Sequence, residues 1–237
     1  MSEEDGDLDA LVRRVDPDRW LASRFVSDAE ARADVITLYA LNYELSRAAE
    51  VASQPLIGEM RLAWWREALE EMSEGRPVRR HPVAQALAEA IHRRGLPHEG
   101  LDALVDARLR DLDPWPLTPD EAEAYADATA GRLMALAARV LSPQADPRAV
   151  IHAARAWGLA GLWRLGGRLP ASWTAGEVRE RVDGALRRSR AELRGLPVAA
   201  FPAAAYATLS RVYIRGRAPS ELGRRARITL AVALGRF

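Results

Sequence analysis

The residues of this chain that could do chemistry are arginines, carboxylates and a few tyrosines. All 34 basic residues are arginine, because the sequence contains no lysine, and it contains no cysteine either. These absences exclude Schiff-base, P-loop and thiolate chemistry. The four histidines never share a ligand spacing such as HxxxH, so a zinc site is not expected. Because the formal net charge is only +1 and no groove-reading motif occurs, nucleic acid is not an expected partner.

The candidate residues lie on amphipathic helices. Between residues 27 and 71, apolar side chains recur at helical spacing. This pattern predicts one long helix that begins with a capping box of Ser27 and Glu30, followed by a second helix that begins near Pro55. No window shows the period-two alternation of a strand, and no repeat occurs. The sequence therefore predicts an all-α bundle.

Later helices have equally clear starting signals. Thr118 with Glu121, and Thr174 with Glu177, form capping boxes, and Pro219 with Ser220 precedes the last helix. From Arg211 onward seven arginines accompany a single acidic residue, Glu221. This segment fits either a basic amphipathic helix on an anionic membrane surface or a helix packed on the bundle.

The two ends of the chain differ in charge. The first ten residues carry carboxylates and no basic group, so residues 1–15 are predicted to form a solvated acidic tail, with disorder expected over residues 1–10. Residues 16–237 are predicted to form one helical domain. The sequence has no apolar run near 18 residues and no basic-then-apolar leader. We therefore expect a soluble chain in the cytoplasm, with a membrane-peripheral position as the alternative.

Four segments together carry a resemblance to a known family. They read LYALNYELSRAAE, PLIGEMRLAWWREALE, ARLRDLDPWPLTPDEAEAYADATAGRLM and RAWGLAGLWRLGGRLP. In this order they resemble the squalene/phytoene synthase family, over about residues 16–237. The resemblance implies the isoprenoid-synthase fold, a single-domain helical bundle around a central cavity. It also implies an activity, the head-to-head joining of two prenyl diphosphates through a cyclopropyl intermediate.

Both aspartate-rich motifs of that family are degenerate here. In the family they hold magnesium against the diphosphates from facing helices. The first motif aligns with Ser46, Arg47 and Glu50, so only one carboxylate remains. Between Asp146 and Glu177 the chain has no acidic residue, and this stretch is about a dozen residues shorter than its family counterpart. We therefore predict that magnesium-dependent condensation is lost and that no cofactor is needed. Magnesium is expected only if the chain is an active prenyl transferase.

Polar residues at family positions are the candidate binding residues. The resemblance and the altered first motif indicate Tyr39, Ser46, Arg47, Glu50, Arg66, Tyr125, Thr129 and Arg164, with no metal ligand among them. Tyr39 and Tyr125 also fit core positions with satisfied hydroxyls. Asp111 and Gly131 match family positions too, and Gly131 is expected to permit close helix packing. Asp111 and its neighbouring aspartates alternate with arginines, which predicts an exposed charge-paired face.

Arg47 is the most informative substitution, and two explanations fit it. It pairs with Glu44 or Glu50 on its own helix, or, with Arg66 or Arg164, it binds a phosphate directly. Asp127, if buried, is expected to pair with an arginine.

Three functions remain compatible with the sequence. The favoured one is a catalytically degenerate family member that binds an isoprenoid diphosphate or lipid-like ligand, or acts as an assembly factor like the family's complex I assembly branch. The first alternative is an active prenyl transferase using farnesyl or geranylgeranyl diphosphate, and the second is a purely structural protein. A protein or a peripheral membrane surface is the further expected partner. A tunnel lined by Tyr39, Leu62, Leu133 and Leu162 would favour ligand binding.

Overall fold

The predicted all-α fold is confirmed. The computed structural model describes residues 7–50 and 54–237, and these residues contain helices and turns but no strand. The helices are α1 (Leu8–Val15), α2 (Pro17–Ser23), α3 (Ala29–Glu50), α4 (Pro55–Ser73), α5 (Pro82–Arg94), α6 (His98–Ala107), α7 (Pro119–Ala126), α8 (Arg132–Leu141), α9 (Ile151–Leu165), α10 (Ala175–Glu192), α11 (Pro202–Ala205), α12 (Ser210–Tyr213) and α13 (Glu221–Leu234). Short 3-10 turns adjoin several of them.

Most helix starts follow the predicted capping chemistry. Both threonine–glutamate capping boxes form, at the start of α7 and of α10, and the Ser220 side chain caps α13. The first long helix differs from its prediction, because Asp28 and not Ser27 accepts the backbone N–H of Ala31, at 2.7 Å. A carboxylate is the stronger acceptor at this position because it also complements the positive end of the helix dipole.

The predicted acidic tail is wrong over residues 8–15, which form α1. Asp7 caps this helix, and Val12 is fully buried in the core. Asp9 accepts hydrogen bonds from the indole of Trp20 at 2.9 Å and from Arg24 at 2.5 Å. Each acidic residue therefore has a structural partner that net charge alone did not reveal. Residues 1–6, which complete the predicted tail, lie outside the described residues.

The core is centred on α3, which contacts α1, α4, α5 and α8. Its apolar residues Leu38, Leu41 and Leu45 are 0–1% exposed. On the other side of the bundle, α9 packs against α7, α10 and α12. Within the described residues, no helix combines the length and apolar character needed to cross a bilayer.

The sequence predicted close helix packing at Gly131, but the structure shows it at Gly158 of α9. A Cβ built on Gly158 would lie 2.7 Å from the Cβ of Ala126 and 3.0 Å from its Cα. A Cβ on Gly131 would have no such neighbour within 3.8 Å. Between α7 and α8 the chain makes one π turn, Asp127–Gly131, so the two helices continue one another. This continuous rod forms one wall of the cavity described next, and α9, which crosses it closely, forms another.

Candidate functional site

A cavity of about 390 Å³ opens between α2, α3, the turn after α6, the π turn and α9. Its size lies within the range of small-molecule sites. Its lining is largely polar and includes four arginines, Arg19, Arg108, Arg164 and Arg168, and three carboxylates, Asp16, Glu50 and Asp111. The cavity is therefore suited to an anionic group rather than to a wholly apolar ligand.

The structure brings five of the eight predicted site residues to this cavity. Ser46 and Glu50 reach it from α3, Tyr125 from α7, Thr129 from the π turn and Arg164 from α9. These positions are distant in sequence and meet because α3 faces the α7–α9 crossing. The other three predicted residues lie elsewhere.

Arg47 and Arg66 point away from the cavity, so the predicted grouping of Arg47 with Arg66 or Arg164 is wrong. The Arg47 guanidinium lies over the ring of Tyr43, at 5.3 Å from its centre, in a groove beside α1. Within the described residues it forms no ion pair with Glu44 or Glu50, so the helix-pair explanation is not supported either. Arg66 pairs with Asp102, at 3.5 Å, and with Asp106 on α6. This pairing agrees with the predicted charge-paired face.

Tyr39 is in the core, and the four residues expected to line an apolar tunnel do not come together at this cavity. Tyr39, Leu62 and Leu133 are 0–1% exposed, and of the four predicted tunnel residues only Leu162 lines the cavity. Tyr39 instead belongs to a cluster of rings around Arg19.

The Arg19 guanidinium occupies the space beneath the cavity. Its central carbon lies 5.0 Å from the ring centre of Tyr206, 5.6 Å from that of Trp157 and 5.7 Å from that of Tyr39. Its Nη1 donates to Asp16 at 2.6 Å. Although burial alone would lower it, Asp16 and Tyr206 raise the pKa of Arg19 above its ordinary value, so the group stays charged. A buried cation thus contacts the ring of Tyr39, one of the residues expected to line an apolar tunnel.

A hydrogen-bonded network forms the opposite wall. Arg108 donates to Asn42 at 2.7 Å, to the Tyr125 hydroxyl at 3.0 Å and to Asp111 at 3.2 Å. The Tyr125 hydroxyl donates to Asp111 at 2.5 Å. Burial, aided by this carboxylate, raises the pKa of Tyr125 well above its ordinary value, so Tyr125 stays protonated. Asp111, 4% exposed, was expected on an open charged face but is committed to this wall.

Arg164 and Arg168 line the rim of the cavity. The Arg164 guanidinium lies 4.1 Å from the ring centre of Tyr213, and that of Arg168 lies 4.5 Å from the ring centre of Trp115. Neither forms an ion pair with a carboxylate within residues 7–50 and 54–237. Arg168 was not among the predicted site residues, and its signal in the sequence is its place in the GGRLP ending of the fourth family segment.

The carboxylates do not form a metal cluster. Among the described residues, no three histidine or acidic side chains come close enough together to hold a metal ion. Asp16 is bound to Arg19 and Asp111 to Arg108, so both carboxylates already have a cation as partner. The donor set therefore does not fit the carboxylate-held magnesium that the family resemblance implies. Asp127 has the arginine partner expected for it, Arg155, at 2.5 and 2.8 Å.

Comparison with known proteins gives the fold and the site a family. The family model described as squalene/phytoene synthase matches residues 12–167, which include the second half of α1, all of α2 to α9, and every cavity-lining residue except Arg168. The chain belongs to the squalene/phytoene synthase family.

Two groups of proteins are similar to this family member. The rat and human proteins named NADH dehydrogenase (ubiquinone) complex I, assembly factor 6, are each 33% identical to it over 132 residues. The match covers 55% of this chain but only 39% of each relative's length. A dehydrosqualene synthase crystallised with a ligand has a TM-score of 0.78 at 13% identity, covering 98% of this chain and 96% of its own.

A second solved structure supports the same fold. Squalene synthase HpnC from Alicyclobacillus acidocaldarius has a TM-score of 0.69 at 16% identity, covering 98% of this chain and 94% of its own. The predicted isoprenoid-synthase-like bundle is thereby confirmed.

Proposed function

We propose that this protein is a family member without magnesium-dependent condensation, and that it binds the phosphate of an isoprenoid or lipid-like ligand directly through arginine. The observation that carries this proposal is the pair of rim arginines, Arg164 and Arg168, stacked on aromatic rings at the mouth of a polar cavity. A guanidinium matches a phosphate with two parallel hydrogen bonds and needs no metal to do so.

The surroundings of these arginines favour binding. Stacking on a ring reduces the freedom of a long side chain, so less entropy is lost when a ligand binds. The four arginines of the lining exceed its three carboxylates, two of which are already paired. A phosphate at the rim would therefore meet a positive surface, with Leu162 and Leu165 beside it for the start of an isoprenoid chain.

We expect the double variant Arg164→Ala/Arg168→Ala to bind farnesyl diphosphate at least about 100-fold more weakly than the unchanged protein. Each lost charged hydrogen bond is worth about 1.5–3 kcal/mol. Calorimetric titration in the presence of a magnesium chelator measures this directly. Arg179→Ala, an exposed arginine on α10, is the matched control and should bind like the unchanged protein.

The same titration with magnesium tests the main alternative. If affinity requires magnesium, or if pyrophosphate is released, the protein is an active prenyl transferase and the proposed metal-free binding is wrong. If no binding occurs under either condition, the purely structural alternative remains.

Assembly of respiratory complex I is a second candidate function. It is supported by the 33% identity to relatives that carry the name complex I assembly factor 6. We expect deletion of the gene in its own organism to lower the amount of assembled complex I on native gels. Reintroducing the Arg164→Ala/Arg168→Ala variant then tests whether assembly needs the cavity. Unchanged complex I in the deletion strain would exclude this role.

A further inference from the structure

The last helix, α13, has apolar side chains on two opposite faces. Ile228 and Ala231, 0% and 3% exposed, pack against the bundle. On the outer side Leu222 is 79% exposed, Leu230 59% and Leu234 52%. Packing on the bundle explains the first face and leaves the second without a partner among the described residues. The two interpretations of this segment, a packed helix and a membrane-facing helix, are therefore compatible.

A buried ion pair determines which face points outward. Arg224 of α13 lies 2.5 Å from Asp18 of α2, whose side chain is only 5% exposed. Tyr213 donates a hydrogen bond to the other oxygen of the same carboxylate. Because rotating α13 would break this pair and leave Asp18 charged and buried, the outer leucines cannot turn into the core without a large cost.

The outer face has the pattern of an interfacial helix. Leu222, Ala226, Leu230 and Ala233 follow one another at intervals of four, four and three residues, which places them on one side of a helix. The exposed side chains of Arg225 and Arg227 flank this strip, one on each edge. Such a helix lies in the plane of a membrane surface, with its apolar strip among the acyl chains and its cations among the headgroups.

The charge around this face is strongly positive. Arg215, Arg217 and Arg236 are also exposed near the two ends of α13. After Arg211 the only carboxylate side chain is that of Glu221, which already pairs with Arg225 at 2.5 Å. A surface of phosphate headgroups complements this charge along the whole helix, and each arginine close to such a surface favours binding.

We infer that the outer face of α13 docks the protein on an anionic lipid surface. None of the residues that line the cavity belongs to α13, so this docking does not depend on the proposed ligand. The face would hold the protein at a membrane without any spanning segment, since one amphipathic helix with a basic rim supplies both the apolar and the electrostatic part of the attraction.

Vesicle flotation of the full chain tests this inference. The probes are phosphatidylcholine vesicles and equimolar phosphatidylcholine–phosphatidylglycerol vesicles at low salt. We expect at least about 100-fold stronger partition onto the anionic vesicles, reduced by added salt. Leu222→Glu/Leu230→Glu should reduce it by about 100-fold or more, because two charges replace the inserted side chains. Arg225→Gln/Arg227→Gln should reduce it by about 30-fold.

A matched control uses the exposed apolar residues of α4. Leu56 and Met60 are 60% and 64% exposed, so Leu56→Glu/Met60→Glu adds the same charges on another helix. It should bind vesicles like the unchanged protein, and thermal unfolding should show that all variants remain folded. The inference is overturned by absence of binding at low salt, by equal binding to both vesicle types, or by loss of binding in the α4 control alone. It is also overturned if the α13 variants only convert a dimer to a monomer, since the face would then belong to a second copy of the chain.

Discussion

Replacing Arg19 with alanine should lower the free energy of unfolding by about 3 kcal/mol, near the lower end of the range for breaking a buried ion pair. The substitution removes a buried cation from contact with three aromatic rings and leaves Asp16 without its partner. Asp16 keeps some solvent access, with 19% of its side chain exposed, which limits the cost. Denaturant unfolding measures the difference.

Two further variants separate the contributions of charge and packing at Arg19. Arg19→Met keeps most of the volume, so it should lose clearly less stability than Arg19→Ala if packing among the rings dominates. In Asp16→Asn/Arg19→Ala the loss should be smaller than the sum of the single losses, because the unpaired carboxylate is gone. Arg76→Ala, which removes a half-exposed arginine from its pairs with Glu74 and Glu71, should change stability by at most about 0.5 kcal/mol. A similarly small effect for Arg19→Ala would contradict a structural role for the buried cation.

Adding a single methyl group to α9 should change stability in opposite directions at two positions three residues apart. At Gly158 the new Cβ would overlap the Cβ and the backbone Cα of Ala126, and backbone atoms cannot rotate away. The helices must separate, so we expect Gly158→Ala to destabilise by about 1–3 kcal/mol despite the better helix propensity of alanine. Since this crossing positions Tyr125 and Thr129 opposite Arg164, ligand binding should weaken as well.

Gly161→Ala is the matched control on the same helix. A Cβ at Gly161 would have no neighbour within 4 Å, so alanine should stabilise the protein by up to about 1 kcal/mol. Thermal unfolding of the two variants side by side gives the comparison. Equal effects at both positions would mean that the α7–α9 crossing is not closely packed, and the cavity walls would then have to be placed differently.

Helix α2 contacts both the cavity and α13, the helix of the proposed docking face. Asp18, which orients α13, is next to Arg19, which fills the space beneath the cavity. Helix α2 therefore links the candidate ligand site to the candidate docking face. A substitution that disturbs the packing of α2 would therefore affect both.

The sequence by itself determined the helices, the family and the absence of acidic residues between Asp146 and Glu177. Helix periodicity, capping boxes and proline positions depend on residues only a few positions apart, so a local pattern suffices to predict them. The Asp127–Arg155 pair was also foreseeable, because a carboxylate on a packed helix needs a cation nearby. The resemblance also pointed to Ser46, Glu50, Tyr125, Thr129 and Arg164, which the structure brings to one cavity, and their role in binding stays a prediction.

Only the tertiary structure decided which arginines face that cavity. Arg47 and Arg164 both lie within family segments and were both predicted to bind the ligand. The structure places Arg47 over Tyr43, outside the cavity, and Arg164 at its rim. Arg19, Arg108 and Arg168 also line the cavity, although none of them was among the predicted site residues. The physical reason is that the orientation of a long arginine side chain depends on which aromatic ring or carboxylate lies within its reach, and other helices often supply that partner. Such partners are set by how whole helices cross, as at Gly158, and not by neighbours in the chain.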